Sequence, residues 1–478
     1  YFTGNGILNV GYGPITNYFW TNSVGGNWNI DGNWTNTTST INRVPISDSN
    51  AVLNFMTAGT ITVTNDISVP FYINQMNVSA GRYTLAGNGI TFTNGALGAP
   101  ILNVTNNATL TIAITNSAMT ALAGLGDLTI ADSLTAYNKI VLNNRNLTLS
   151  PTPASGFAVT NGITGTGNVT IASLGGFAIG FNTLANSSIS NTFLGNLTVN
   201  TGGILNLGSG WTATGNLLPS NGTVTVNGTL NHAKGGKPET FDALSGNGSY
   251  VMTAIGDRIN LGNANGNGNF AGVISGAGGL TKLGTGTQVL SSNNTYSGLT
   301  IISNGTLSVS GSLGASYVYS GIITNLGSLI FNNMIANTTQ QLTGAIAGIG
   351  TLTQAGSNTV MLLASNTWTG NAYINSGVMS FTNNITATNM PLFIASGATN
   401  NLINGTNTIK YLYLNNIPQP AGTYGTNAVT YTNTTYFTGN GKLYVNLLGP
   451  SISVSMLKDI RRQPMRPRNW VVNRLEKH

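Results

Sequence analysis

Thirty-two residues, 276–307, recur without a gap at 348–379. GAGGLTKLGTGTQVLSSNNTYSGLTIISNGTL aligns with GIGTLTQAGSNTVMLLASNTWTGNAYINSGVM at a constant offset of seventy-two. Leu280, Thr281, Gly284, Leu290, Asn294, Gly298 and Gly305 meet Leu352, Thr353, Gly356, Leu362, Asn366, Gly370 and Gly377. A repeat of this length implies similar units stacked along one axis, each burying on its neighbours an apolar face it cannot bury alone. The unit is rich in Thr, Val, Ile and Leu with Gly and Asn between, which suits short strands joined by tight corners. The fold class expected is therefore all-β, a single elongated parallel β-helix or β-solenoid.

The spacing from Leu205 to Leu230, and from Leu307 to Leu329, predicts coils of about 24 residues, three to each repeat. Asparagines at stacked corners are expected to bond from coil to coil. Charged residues make up only 6% of the chain, against roughly a quarter in ordinary domains. Disorder is not the reading, because 41% of residues are apolar and the net charge is only +7. Cysteine is absent, which excludes disulfides and thiolate metal sites. No apolar run is long enough for a transmembrane helix.

Four regions are expected. YFTGNG at 1–6 recurs at 436–441, with Leu8 on Leu443, Val10 on Val445, and Gly13-Pro14 near Gly449-Pro450. Residues 1–14 thus read as a strand like the end of a preceding module, and the chain as a processed piece of something longer. Tyr1, Phe2, Leu8, Val10, Tyr436, Phe437, Leu443 and Val445 become candidate inter-subunit contacts. Residues 15–50 hold Trp20, Trp28 and Trp34 and read as an end cap, with sugar binding by exposed rings as the lesser alternative. Residues 51–446 form the β-helix. Residues 447–478 form a basic tail that carries +5 of the net charge, with Arg461, Arg462, Arg466, Arg468 and Trp470 as candidate docking residues. Anionic polysaccharide or an envelope surface suits that tail better than nucleic acid, because nothing in the body extends the basic surface.

Catalysis finds little material. Eight acidic residues stand between Tyr1 and Leu457: Asp31, Asp48, Asp66, Asp127, Asp132, Glu239, Asp242 and Asp257. One ionisable group is concentrated, formed by His232, Lys234, Lys237, Glu239, Asp242, Asp257 and Arg258. A glycosidase would use Glu239 and Asp242 as acid and base. The structural alternative is a polar corner between coils, in which Pro238 interrupts strand pairing. The only other histidine is His478, and no Gly-x-Ser-x-Gly elbow is present, so neither a serine triad nor a paired-histidine metal site is expected. No catalytic residue, cofactor or metal is expected.

The run GVISGAGGLTKLGTGTQVLSSNNTYSGLTIISNGTLSVSG (272–311), with its weaker copy at 348–379, resembles the autotransporter-associated β-strand repeat of bacterial passenger proteins. The segments FWTNSVGGNWNIDGNWT, ETFDALSGNGSY and YLNNIPQPAGTYGT resemble flanking pieces of large members. The resemblance implies a right-handed helix, export through a Gram-negative envelope and a place outside the cell or on its surface. It brings no catalytic residues. The function expected is a non-enzymatic extracellular structural subunit of a filament, sheath or surface layer, coupled head to tail to copies of itself. The alternative is an autotransporter-like adhesin that binds glycans through the side of the solenoid.

Overall fold

The structure is a computed structural model. It describes residues 14–451 except 38–43, 68–70, 81, 94, 209–215, 383–384, 386–388, 429 and a series of stretches between 99 and 190. Among the described residues there is no α-helix, only short strands and two 3₁₀ turns, at Asp31–Asn33 and Ala315–Tyr317. Almost every pairing is parallel, and most join a strand to the third one after it, so three successive strands commonly make one coil. The protein is a three-faced β-solenoid.

The first face begins at Thr16–Trp20 and Ala51–Phe55 and runs to Ile323–Asn325 and Ile346–Ala347. The second runs from Gly26–Asn27 to Tyr411–Leu414, and the third from Phe71–Ile73 to Phe437–Thr438. Strands alternate inward and outward residues, as in Thr223–Val226, where Val224 and Val226 are buried. On the third face Leu205, Leu230, Tyr250 and Ile274 lie in register one above another, all inside. Each such side chain contributes about 1.5–3 kcal/mol on leaving water.

The ladders break register where faces change sheet. On the second face Ala243–Ser245 ends one ten-stranded sheet, and a single bridge from Gly246 to Phe270 carries the stack into the next. On the first face, residues 216–218 stand between Thr192–Phe193 and Pro238–Phe241 without forming a strand. There Asn216 replaces the ladder with its side chain, exchanging bonds with the Thr240 backbone (2.7 and 2.8 Å). Pro238 is accommodated because it opens the outermost strand of its sheet, where its missing N–H breaks no ladder.

Corner asparagines connect the coils as expected. Asn146 accepts from the Asn168 backbone, Asn168 from Asn196, and Asn196 from Thr223, at 2.9–3.0 Å. The donor in these corners is the next coil's backbone N–H, while Asn77–Asn54 and Asn231–Asn206 join side chain to side chain.

The three-coil division of the repeat needs correction. Leu280 pairs with Thr300, Thr300 with Ile323 and Ile323 with Ile346, so three coils are complete before Leu352. Coils here hold 19–23 residues, as in Thr287 with Thr306 and Ser328 with Thr351. The second copy therefore begins one face further round. Gly279–Lys282 lies on the first face and its counterpart Thr351–Gln354 on the second. Local roles survive the rotation. Gly305 and Gly377 both take a left-handed turn (φ 62° and 61°), where an added Cβ would meet backbone carbonyl oxygens at 2.5 Å or less.

Antiparallel strands close both ends. Trp34–Asn36 runs antiparallel to Thr16–Trp20, and at the other end Ile417–Pro418 and Gly422–Gly425 run antiparallel to their partners. Trp20, Trp28 and Trp34 are buried under the first coil, with Trp20–Trp34 and Trp28–Trp34 edge to face at 5.1 and 5.7 Å. Their rings offer no exposed face to a sugar.

Candidate functional site

The ionisable cluster lies where the first face lacks a strand. Leu217 and Leu218 are buried there, and their backbone N–H groups point inward instead of into a ladder. The Glu239 carboxylate receives them, from Leu217 at 3.1 and 2.9 Å and from Leu218 at 2.9 Å. A lone buried carboxylate is strongly disfavoured, and Lys234 answers it with an ion pair in which both side chains are fully buried. The Lys234 ammonium also donates to the Pro238 carbonyl at 3.2 Å. Burial pushes the Glu239 carboxyl up, against the lowering pull of Lys234 and the two amides.

A second group sits beside it. His232 Nε2 meets the Lys237 carbonyl at 2.9 Å, and Nδ1 meets the Tyr250 hydroxyl at 3.2 Å. Asp257 stands 3.8 Å from the ring and accepts from Gly236 N (2.9 Å) and Ala254 N (3.0 Å). Burial holds the imidazole down at about 4, with Asp257 opposing. The ring is neutral at pH 7.

Asp242 is elsewhere. It holds a corner by accepting from Ala264 N (2.7 Å) and Gly266 N (2.8 Å). Glu239 is sealed inside the core while Asp242 serves this partly exposed corner, so the two do not face a common cleft as an acid–base pair would require. The chemistry of this cluster is to satisfy backbone groups that the missing strand leaves unpaired.

Of the candidate contact residues, Phe437, Leu443 and Val445 lie fully buried in this chain's own core, and Tyr436 is half-buried against it. Phe437 pairs with Asn400, and Leu443 with Asn407 and Tyr424. Tyr1, Phe2, Leu8, Val10, Arg461, Arg462, Arg466, Arg468 and Trp470 fall outside the described residues.

Two surface features escaped the sequence reading. Tyr373, Phe393 and Tyr413 share one row of the second face and stack at 4.8 and 4.4 Å, nearly parallel. Their common spacing of twenty is a signal only once the coil length is known. Because each ring covers its neighbour's face, the stack is not an open sugar platform. On the first face, Leu299, Ile322, Leu326 and Ile349 are exposed along successive coils.

Residues 280–309 and 352–380 each match the passenger-associated-transport-repeat family model. The chain carries two passenger-associated transport repeats. The two repeats are the rotated pair described above; the first runs through five strands on all three faces of the solenoid and the second through four strands on two. An extracellular serine protease of Serratia marcescens is 45% identical over 82 residues, 16% of this chain and 8% of that protein. The chain thus spans less than a tenth of that relative's length. No solved structure is significantly similar to it.

Proposed function

We propose that this chain is a non-enzymatic, extracellular structural solenoid of a Gram-negative bacterium, which associates with copies of itself into a filament, sheath or surface layer. The observation that carries the reading is the use made of its one concentrated ionisable cluster. Glu239, Lys234, His232 and Asp257 are buried and bonded to backbone or to each other, so this cluster offers no carboxylate pair in a cleft. The location rests on the two transport repeats and on the extracellular Serratia relative. Self-association rests on the charge-poor faces and the echo of YFTGNG.

The adhesin alternative draws support from the exposed apolar residues of the first face, but its aromatic anchors are either buried or stacked on one another. Negative-stain electron microscopy of concentrated native protein tests the choice. Filaments with a regular axial repeat support the structural subunit. Isolated rods at every concentration overturn it and turn attention to surface ligands.

A further inference from the structure

The closing strand of the solenoid explains why residues 1–14 echo residues 436–450. In the resident segment, Phe437, Leu443 and Val445 fill the core. Gly439 is left-handed (φ 82°), and a Cβ there would lie 2.2 Å from the Leu402 carbonyl oxygen. A Cβ on Gly449 would lie 2.5 Å from the Tyr413 hydroxyl, which in turn bonds the Pro450 carbonyl at 3.3 Å. The N-terminal segment keeps each of these, as Phe2, Leu8, Val10, Gly4 and Gly13-Pro14, with one residue fewer before the last pair. It departs at Ile7, Asn9, Gly11 and Tyr12, which align with Lys442, Tyr444, Asn446 and Leu447. None of those four resident side chains is buried. The echo therefore preserves what the slot requires and varies what solvent sees.

Both ends of the solenoid are closed by antiparallel strands, so copies cannot simply add coil to coil along a parallel edge. We propose that residues 1–14 of one copy take the place of residues 436–450 in a second copy, between the strands Thr406–Ile409 and Gly422–Gly425. This strand exchange supplies the head-to-tail contact of the self-association reading, on which it rests. The exchanged strand makes the same ladder and core contacts as the resident one, so the two states differ little in contact energy. The resident strand has the advantage of its tether, so exchange grows with protein concentration.

The absence of native cysteine allows a clean cross-linking test. Residue 9 aligns with Tyr444, whose partner across the ladder is Thr408. Full-length Asn9→Cys and Thr408→Cys chains are mixed, refolded together at high concentration and treated with a short thiol cross-linker. An inter-chain product is expected. It should vanish when Phe2→Asp and Leu8→Asp are added to the first chain, and be absent when Thr62→Cys on the far end replaces the second. The pair Ile7→Cys with Thr406→Cys is an independent repeat, because Thr406 faces Lys442. A product no stronger than the Thr62→Cys control in both pairs overturns the exchange, as does a product indifferent to the two aspartates. Filaments in the microscope without a specific cross-link would leave the structural reading standing and remove this one.

Discussion

Asn294 and Asn366 do the same work on different faces of the solenoid. Asn294, on the third face, accepts the Ile274 backbone N–H at 3.0 Å and donates to the Ser292 carbonyl at 2.8 Å. Asn366, on the first, accepts from Ile346 at 2.8 Å and donates to Ala364 at 2.6 Å. Both are buried. The repeat thus encodes a local corner, and the winding of the chain decides where round the axis that corner falls.

Asn294→Ala and Asn366→Ala should therefore be destabilising to a similar extent. Each leaves one buried backbone N–H without an acceptor, a loss of about 1–3 kcal/mol. Urea unfolding followed by circular dichroism would measure it. The double variant should show the sum, because the two corners are coils apart. If either single change is silent, the corner bond is not what the repeat preserves.

Lys234→Met removes one partner of a buried ion pair and should destabilise by about 3–5 kcal/mol. Adding Glu239→Gln should recover part of that loss, since the amide oxygen can still accept from Leu217 or Leu218. Thermal unfolding of the two variants decides it. A double variant less stable than Lys234→Met alone would contradict the account.

The chain should lose stability on mild acidification through His232. Unfolded, the ring takes up its proton near 6.5; folded, only near 4, because burial disfavours the cation. Between those values the unfolded chain binds more protons, so stability rises with pH across the window and falls as pH drops through it. Glu239, whose carboxyl burial pushes up, acts with the opposite sign but is common to both chains compared. His232→Gln should flatten the unfolding midpoint between pH 4 and 6.5 relative to wild type. Parallel curves would exclude the imidazole as the source.

Lys282 is fully buried, and desolvation lowers its ammonium to about 8. It donates to the Gly284 carbonyl at 3.0 Å, and its repeat counterpart Gln354 donates to Gly356 at 2.9 Å. A neutral amide fills the same role without a buried charge. Lys282→Gln should hold or raise the melting temperature at pH 7. A clear fall would mean that the attraction of Asp242 outweighs desolvation there.

Much of the fold was legible because its signals are local. Thr-Val-Ile-Leu runs mark strands, and glycine marks left-handed corners such as Gly305 and Gly377, whatever the coil beneath. The ionisable group at 232–258 was visible as a composition. Its role was not, because that depends on the unpaired N–H groups of Leu217 and Leu218, brought beneath Glu239 by the stacking. The Tyr373–Phe393–Tyr413 stack was hidden for the same reason, since residues twenty apart become neighbours only in coils of that length.

Sequence alone determined the parallel solenoid, its paired repeats and its poverty in charge, since strand periodicity, corner chemistry and composition are properties of short windows. Tertiary structure alone decided which face each repeat occupies, that the acidic candidates are locked in the core or held at a corner, and that antiparallel strands close the ends. Those depend on how many residues each coil consumes, a quantity that accumulates along the chain and that no single window contains.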